Sequence, residues 1–130
     1  MHVIPYLLVD QLPFSATHDQ VRRHYGKPLR TETLNIGLHT LDYGQWVARF
    51  QYNGRLEEIT KRAHCIHLHG QRVPFARLEA FVRRHDPAVF VRSDFVVSPR
   101  YGIAFVPGDS NWVTALAAHC IPTWRAMPAA

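Results

Sequence analysis

The chain has 130 residues, 47% of them hydrophobic and 12% aromatic, enough to bury the core of one ordinary domain or of two small lobes. Its formal charge of +5 and pI near 9.7 point to an acidic partner, yet no run of five like charges exists, so a disordered basic arm is excluded. No stretch approaches the ~18 apolar residues of a membrane span, and the first ten residues lack the basic start and small-residue cleavage site of a signal peptide.

From the N-terminus, Val3 to Val9 reads as an edge strand interrupted by Pro5. Leu12-Pro13-Phe14 enters a turn, and a helix is expected over Thr17 to Tyr25. Thr17 and Gln20 have the spacing of a capping box, and Gly26 with Pro28 ends the helix. Thr31 to Leu41, with Leu34, Ile36 and Leu38 at period two, reads as a strand with one buried face. Trp46 to Tyr52 alternates as the next strand, Asn53-Gly54 signals a tight hairpin, and Arg55 to Arg62 follows. A bulge near Glu57-Glu58 is expected, because Leu56 and Ile59 break simple alternation. In the second half, strands are expected at Cys65 to Val73, Val89 to Val97 and Tyr101 to Val106, and Asn111 to Ala118 is a last strand or a short helix, for which Ala115 to Ala118 speak. A helix covers Phe75 to His85, and Ile121 to Ala130 is a tail pinned by Trp124.

The halves echo each other. Pro13-Phe14 and Val21-Arg22-Arg23-His24 recur 61 positions on as Pro74-Phe75 and Val82-Arg83-Arg84-His85. Tyr43-Gly44 then matches Tyr101-Gly102, Phe50 matches Phe105, Gly54 matches Gly108, and Ile59-Thr60 matches Val113-Thr114. The fold expected is α+β: two tandem β-α-β-β-β repeats, residues 1–63 and 64–130. Together they would form one antiparallel sheet with the helices packed on one face, because one repeat alone has too little core.

Candidate chemistry is sparse. Cys65, His67 and His69 share one strand face, but residues two apart on a strand are separated by ~6.8 Å, and CxxC or HxxxH spacing is absent. They read as an ordinary half-buried strand face, and no metal site is expected. Two cysteines, Cys65 and Cys120, read as free thiols of a reducing cytoplasm. There is no catalytic triad spacing, no paired-carboxylate signature and no Gly-rich phosphate loop, so neither enzymatic activity nor a cofactor is expected. The Arg22-Arg23 and Arg83-Arg84 pairs form two basic patches suited to carboxylate or phosphate. Aromatic residues interleave with basic ones around Trp46, Arg49, Phe50 and Tyr52, which keeps a small nucleic-acid-binding or regulatory module as the alternative.

Phe14-Ser15-Ala16-Thr17, Gln20-Val21, Tyr25-Gly26-Lys27-Pro28, Tyr43, Trp46 to Phe50 and Asn53-Gly54-Arg55-Leu56 together resemble a recurrent bacterial unit. It is similar to that of the outer-membrane assembly lipoproteins and of the tandem β-lactamase-inhibitor proteins. Similar units appear in small cytoplasmic immunity proteins that neutralise secreted bacterial toxins, those of type VI secretion among them. A lipid-attachment cysteine near the N-terminus is absent, as are the disulfides of the secreted inhibitors. The immunity-protein version therefore fits best. The resemblance implies a non-catalytic, cytoplasmic inhibitor whose sheet or loops plug an acidic toxin domain. The expected partner-binding residues are Arg22, Arg23, Arg83 and Arg84 with the aromatics Trp46, Tyr52, Tyr101 and Trp112, residue types favoured at hot spots.

Overall fold

The computed structural model describes residues 1–33, 37–108 and 111–128. The first half gives β1 (His2–Ile4), β2 (Leu8–Val9), β3 (Leu12–Pro13), α1 (His18–Tyr25), β4 (Arg30–Thr33), β5 (His39–Asp42), β6 (Trp46–Phe50) and β7 (Leu56–Arg62). The second gives β8 (Cys65–Leu68), β9 (Gln71–Pro74), a 3-10 turn (Phe75–Arg77) into α2 (Leu78–His85), β10 (Phe90–Arg92), β11 (Phe95–Ser98), β12 (Ile103–Phe105) and β13 (Trp112–Leu116). Then comes α3 (Cys120–Ala126). The class is α+β, with two sheets and three helices.

The larger sheet has eight antiparallel strands in the order β10-β11-β12-β13-β7-β6-β5-β4. Each half supplies four consecutive strands, and the halves meet where β13 pairs with β7. Thr114 lies opposite Thr60 there, with Ala115 opposite Ile59 and Val113 opposite Lys61. The two threonine hydroxyls are hydrogen-bonded at 2.8 Å. The smaller sheet, β3-β2-β1-β8-β9, joins the halves a second time, through the parallel pair β1 and β8.

One core spans both halves. Side chains on one face of the large sheet, among them Leu41, Phe50, Ile59, Val96, Ile103 and Phe105, pack with Val21 of α1, Leu78 and Val82 of α2, and the small sheet. Alternation sends Val97, Ala104 and Leu116 to the other face. There they form a second, smaller apolar patch with Phe90, Phe95, Ile121 and Trp124. Thus the two expected helices, α1 and α2, share one face as anticipated, while the unexpected α3 lies on the other.

Local signals explain the first half well. Thr17 Oγ1 accepts from the Gln20 N–H at 3.3 Å while Gln20 Oε1 accepts from the Thr17 N–H at 2.9 Å, a complete capping box. Gly26, at φ +81°, donates to the Arg22 carbonyl and closes α1. The bulge falls where expected: Arg49 opposes Glu58 but Phe50 opposes Leu56, leaving Glu57 as the extra residue.

Other expectations are corrected. Neither helix sits in a β-α-β-β-β unit: four strands follow each one, and the strands before it belong to the separate small sheet. Cys65 to Val73 is a hairpin, folded at His69-Gly70, where both residues have positive φ (50° and 77°). Val89 to Val97 folds back likewise at Ser93-Asp94, with φ of 48° and 71°. Thr31 to Leu41 divides between β4 and β5, which pair with each other; Leu34 and Ile36 lie outside the described residues. The expected C-terminal tail holds a helix, α3, with Trp124 in its apolar face.

Two polar anchors set the layers. Buried Asp86, at the end of α2, accepts from Ser98 Oγ at 2.6 Å, from the Ala88 N–H at 2.9 Å and from the Arg100 N–H at 3.0 Å, so its charge is fully hydrogen-bonded against the start of the β11–β12 turn. Asp10 joins the small sheet to the large one through an ion pair with Lys61 of β7 and a 2.9 Å bond from the His2 N–H. Burial pushes the Asp10 carboxyl up, but these two partners outweigh it and leave its pKa below the ordinary 3.8. A carboxylate with a depressed pKa stabilises the fold above its unfolded-state value, and that stabilisation disappears as pH falls through the folded-state value. Urea melts of Asp10→Asn should therefore show a loss of roughly 1 kcal/mol near neutral pH. The difference from the parent should shrink as pH falls below the ordinary carboxylate range.

Candidate functional site

Beside α3, the second face of the large sheet is cut by a groove of about 290 Å³. Its floor comes from neighbouring strands. Arg49 of β6 donates to Glu58 Oε1 of β7 at 3.0 Å and to Thr60 Oγ1 at 3.2 Å, and Thr60 bonds onward to Thr114 of β13. Burial pushes the Glu58 carboxyl up from its ordinary value, with Arg49 opposing that shift. Its walls are aromatic and aliphatic: Trp112, Phe95, Val106 and Trp124. The Phe95 and Trp124 rings meet edge to face at 5.2 Å, and the Arg62 guanidinium lies 5.4 Å from the Trp112 ring centre. The floor is already hydrogen-bonded, so an incoming group finds apolar walls and a pre-ordered polar base, the usual makeup of a binding cleft.

One residue along from Glu58, the bulge re-aims Glu57 toward α3. A classic-type bulge places two successive residues against one partner, and such bulges recur beside functional sites because they redirect a side chain. Glu57 is 4% exposed. Its Oε2 lies against His119 Nε2, an ion pair when the imidazole is protonated, and accepts from Cys120 Sγ at 3.3 Å. Arg55 Nη2 stands 3.6 Å from Oε1, which has no hydrogen-bond partner. The Cys120 thiol also points at the Glu57 carbonyl, 3.4 Å away. Burial first, then the hydrogen bond and negative charge of Glu57, push the Cys120 pKa up to about 12. That thiol is held protonated, the reverse of an activated nucleophile.

Among the described residues, Glu57, His119 and Cys120 are the one group of three such donors close enough to hold a metal ion. Cys65, His67 and His69 are not: His69 leaves the strand at the turn, and His67 stacks on His2 at 3.9 Å. Both cysteines are free.

The expected partner-binding residues fall on separate surfaces. Trp112 lines the groove. Arg22 and Arg23 of α1, and Arg83 and Arg84 of α2, are exposed but belong to helices on the opposite face, and Arg83 is paired with Glu79 at 3.0 Å. Trp46 stacks on Tyr43 and packs against the main core. Tyr101 is only 3% exposed and is a core residue. Tyr52, 84% exposed at the hairpin after β6, lines a second cleft of about 440 Å³ with His18 and His39. Sequence reasoning missed Arg49, Glu58 and Trp124 as groove residues, and Glu57, His119 and Cys120 as a cluster. The bulge signal at Glu57-Glu58, Trp112 and the basic–aromatic stretch around Arg49 marked the place without joining its parts.

No protein-family model matches the chain, and no curated protein or solved structure matches it. Among the described residues, no helix is long and apolar enough to cross a membrane.

The state of Cys120 is directly measurable. In chelator-dialysed protein near neutral pH, iodoacetamide should label Cys120 far more slowly in the folded than in the urea-unfolded chain. Glu57→Gln, which removes the negative charge, should raise the folded-state rate several-fold as followed by mass spectrometry.

Proposed function

We propose that this chain is a non-catalytic protein-binding inhibitor, a cytoplasmic immunity protein that neutralises an antibacterial toxin by seating part of it in the Trp112–Trp124 groove. The groove carries the reading. Tryptophan walls around a pre-ordered polar floor are the composition of an interface hot spot, where aromatic area is buried at low entropic cost. Arg49 and Glu58 offer a donor and an acceptor at the floor of such a contact, which fix register more than affinity. The formal charge of +5 favours an acidic partner, and the four arginines of α1 and α2 act at long range, steering encounter from the far side of the sheet. Thr60 and Thr114, matched in the sequence and directly opposed across the central seam, support the tandem origin that underlies the resemblance to inhibitor units.

The test is co-expression with the product of the adjoining gene, scored by growth and then by co-purification. Rescue with a stable complex is expected. Trp112→Ala and Trp124→Ala should each weaken that complex about 30-fold, the effect of losing a hot spot of ~2 kcal/mol, with unchanged circular dichroism. Arg22→Glu with Arg23→Glu should slow association and leave dissociation alone. A complex indifferent to both tryptophans would move the interface elsewhere and overturn the groove. Absence of any complex, with single-stranded nucleic acid bound in a steeply salt-dependent way, would replace this reading by the basic nucleic-acid module.

A further inference from the structure

We propose that Glu57, His119 and Cys120 form a zinc site that clips the C-terminal helix to the bulge of β7. The inference is independent of what the groove binds.

The geometry comes from two distant pieces of chain. The bulge turns the Glu57 side chain toward α3, and β13 delivers its own end to the same spot, where the Ala117 N–H donates to the Glu57 carbonyl at 2.9 Å. His119 and Cys120 follow at once. A carboxylate oxygen, an imidazole nitrogen and a thiol sulfur then lie within 4.8 Å of one another. Zinc bonds of about 2.0–2.3 Å in a tetrahedron call for donors roughly 3.3–3.8 Å apart, so small side-chain rotations complete the site. Three protein donors leave a fourth position for water.

The donor chemistry selects the metal. A sulfur and an imidazole beside one carboxylate suit a borderline-soft ion and are poor ligands for calcium or magnesium, which take oxygen. The cluster also has an unmet need. Glu57 is buried, and its Oε1 makes no hydrogen bond, being met only by a 3.6 Å ion pair with the half-exposed Arg55. A buried carboxylate left short of partners is costly. A dication bound by this carboxylate and a thiolate yields a neutral unit. On binding, the S–H bond breaks, sulfur keeps the electron pair to form the zinc–sulfur bond, and the thiol proton leaves to solvent; His119 ligates as neutral imidazole through the lone pair of a ring nitrogen, releasing to solvent any proton that nitrogen carries.

The consequence reaches the groove. Seven residues are too few for a helix to hold itself, and α3 is kept in place by its apolar patch and by Arg92, which donates to the Arg125 carbonyl at 3.2 Å. A metal at its start would fix the other end, and with it Trp124.

The experiment uses the full chain without a histidine tag, stripped with chelator and titrated with cobalt(II) and then zinc. One cobalt per chain is expected, with tetrahedral d–d bands and a thiolate-to-cobalt charge-transfer band that zinc abolishes. The charge-transfer band should persist in Cys65→Ser and vanish in Cys120→Ser, and His119→Ala should weaken zinc at least tenfold. Zinc should raise the melting temperature of the parent and not that of Cys120→Ser. No charge-transfer band in the parent, a band that follows Cys65, or cobalt well below one per chain would each overturn the site. The parent titration decides the matter even if a variant unfolds.

Discussion

The seam between β7 and β13 is the interaction on which the rest depends. Five residue pairs join the halves there, centred on Thr60 and Thr114. Each half presents a four-stranded meander whose inner strand would otherwise be an exposed edge. Joining them closes both edges and places Ile59, Val113 and Ala115 under a shared layer of helices. The antiparallel register at the seam, with Thr60 opposite Thr114, puts Ile59 and Ala115 on the same face, the one that α1 and α2 cover. The polar face of the seam, the Thr60–Thr114–Arg49–Glu58 network, becomes the floor of the groove.

The two halves differ most where the groove and the Glu57 cluster lie. The bulge at Glu57 and helix α3 have no counterpart in the other half among the described residues. The bulge redirects a carboxylate out of the alternating pattern, and α3 packs its apolar side on second-half strands while its first turn meets the first half at Glu57. One face of the sheet is therefore asymmetric: partly roofed by α3, partly a cleft along its edge. A symmetric sheet with both helices on one face would have left a flat second face instead.

How much of this the sequence disclosed follows the range of each interaction. Helix α1 was legible because its signals are local: Thr17, Gln20 and Gly26 act within a few residues. The Asn53-Gly54 turn and the bulge were legible for the same reason. The hairpins at His69-Gly70 and Ser93-Asp94 carried ordinary turn residues in Gly70 and Asp94, but each turn is so short, between strands of three or four residues, that the whole stretch read as one longer strand. The small sheet was missed because its parallel pair joins residues 65 apart, His2 and His67. Aromatic residues were legible as important but not as exposed: Tyr101 and Trp46 went to the core, while Trp112 and Trp124 reached the groove. Glu57 and Cys120, 63 positions apart, carried no mutual signal at all.

The two outer strands of the large sheet differ in how they meet solvent. All four residues of β4 are exposed, and they read Arg, Thr, Glu, Thr, a short polar edge flanked by exposed Leu29. At the other end, β10 has three residues, and Arg92 reaches past it to the α3 backbone while Arg125 lies over Phe90. Open edges are templates on which other chains can add strands, and short, charged edges discourage this. A sheet of eight strands that ends so at both sides is guarded against growing by self-addition.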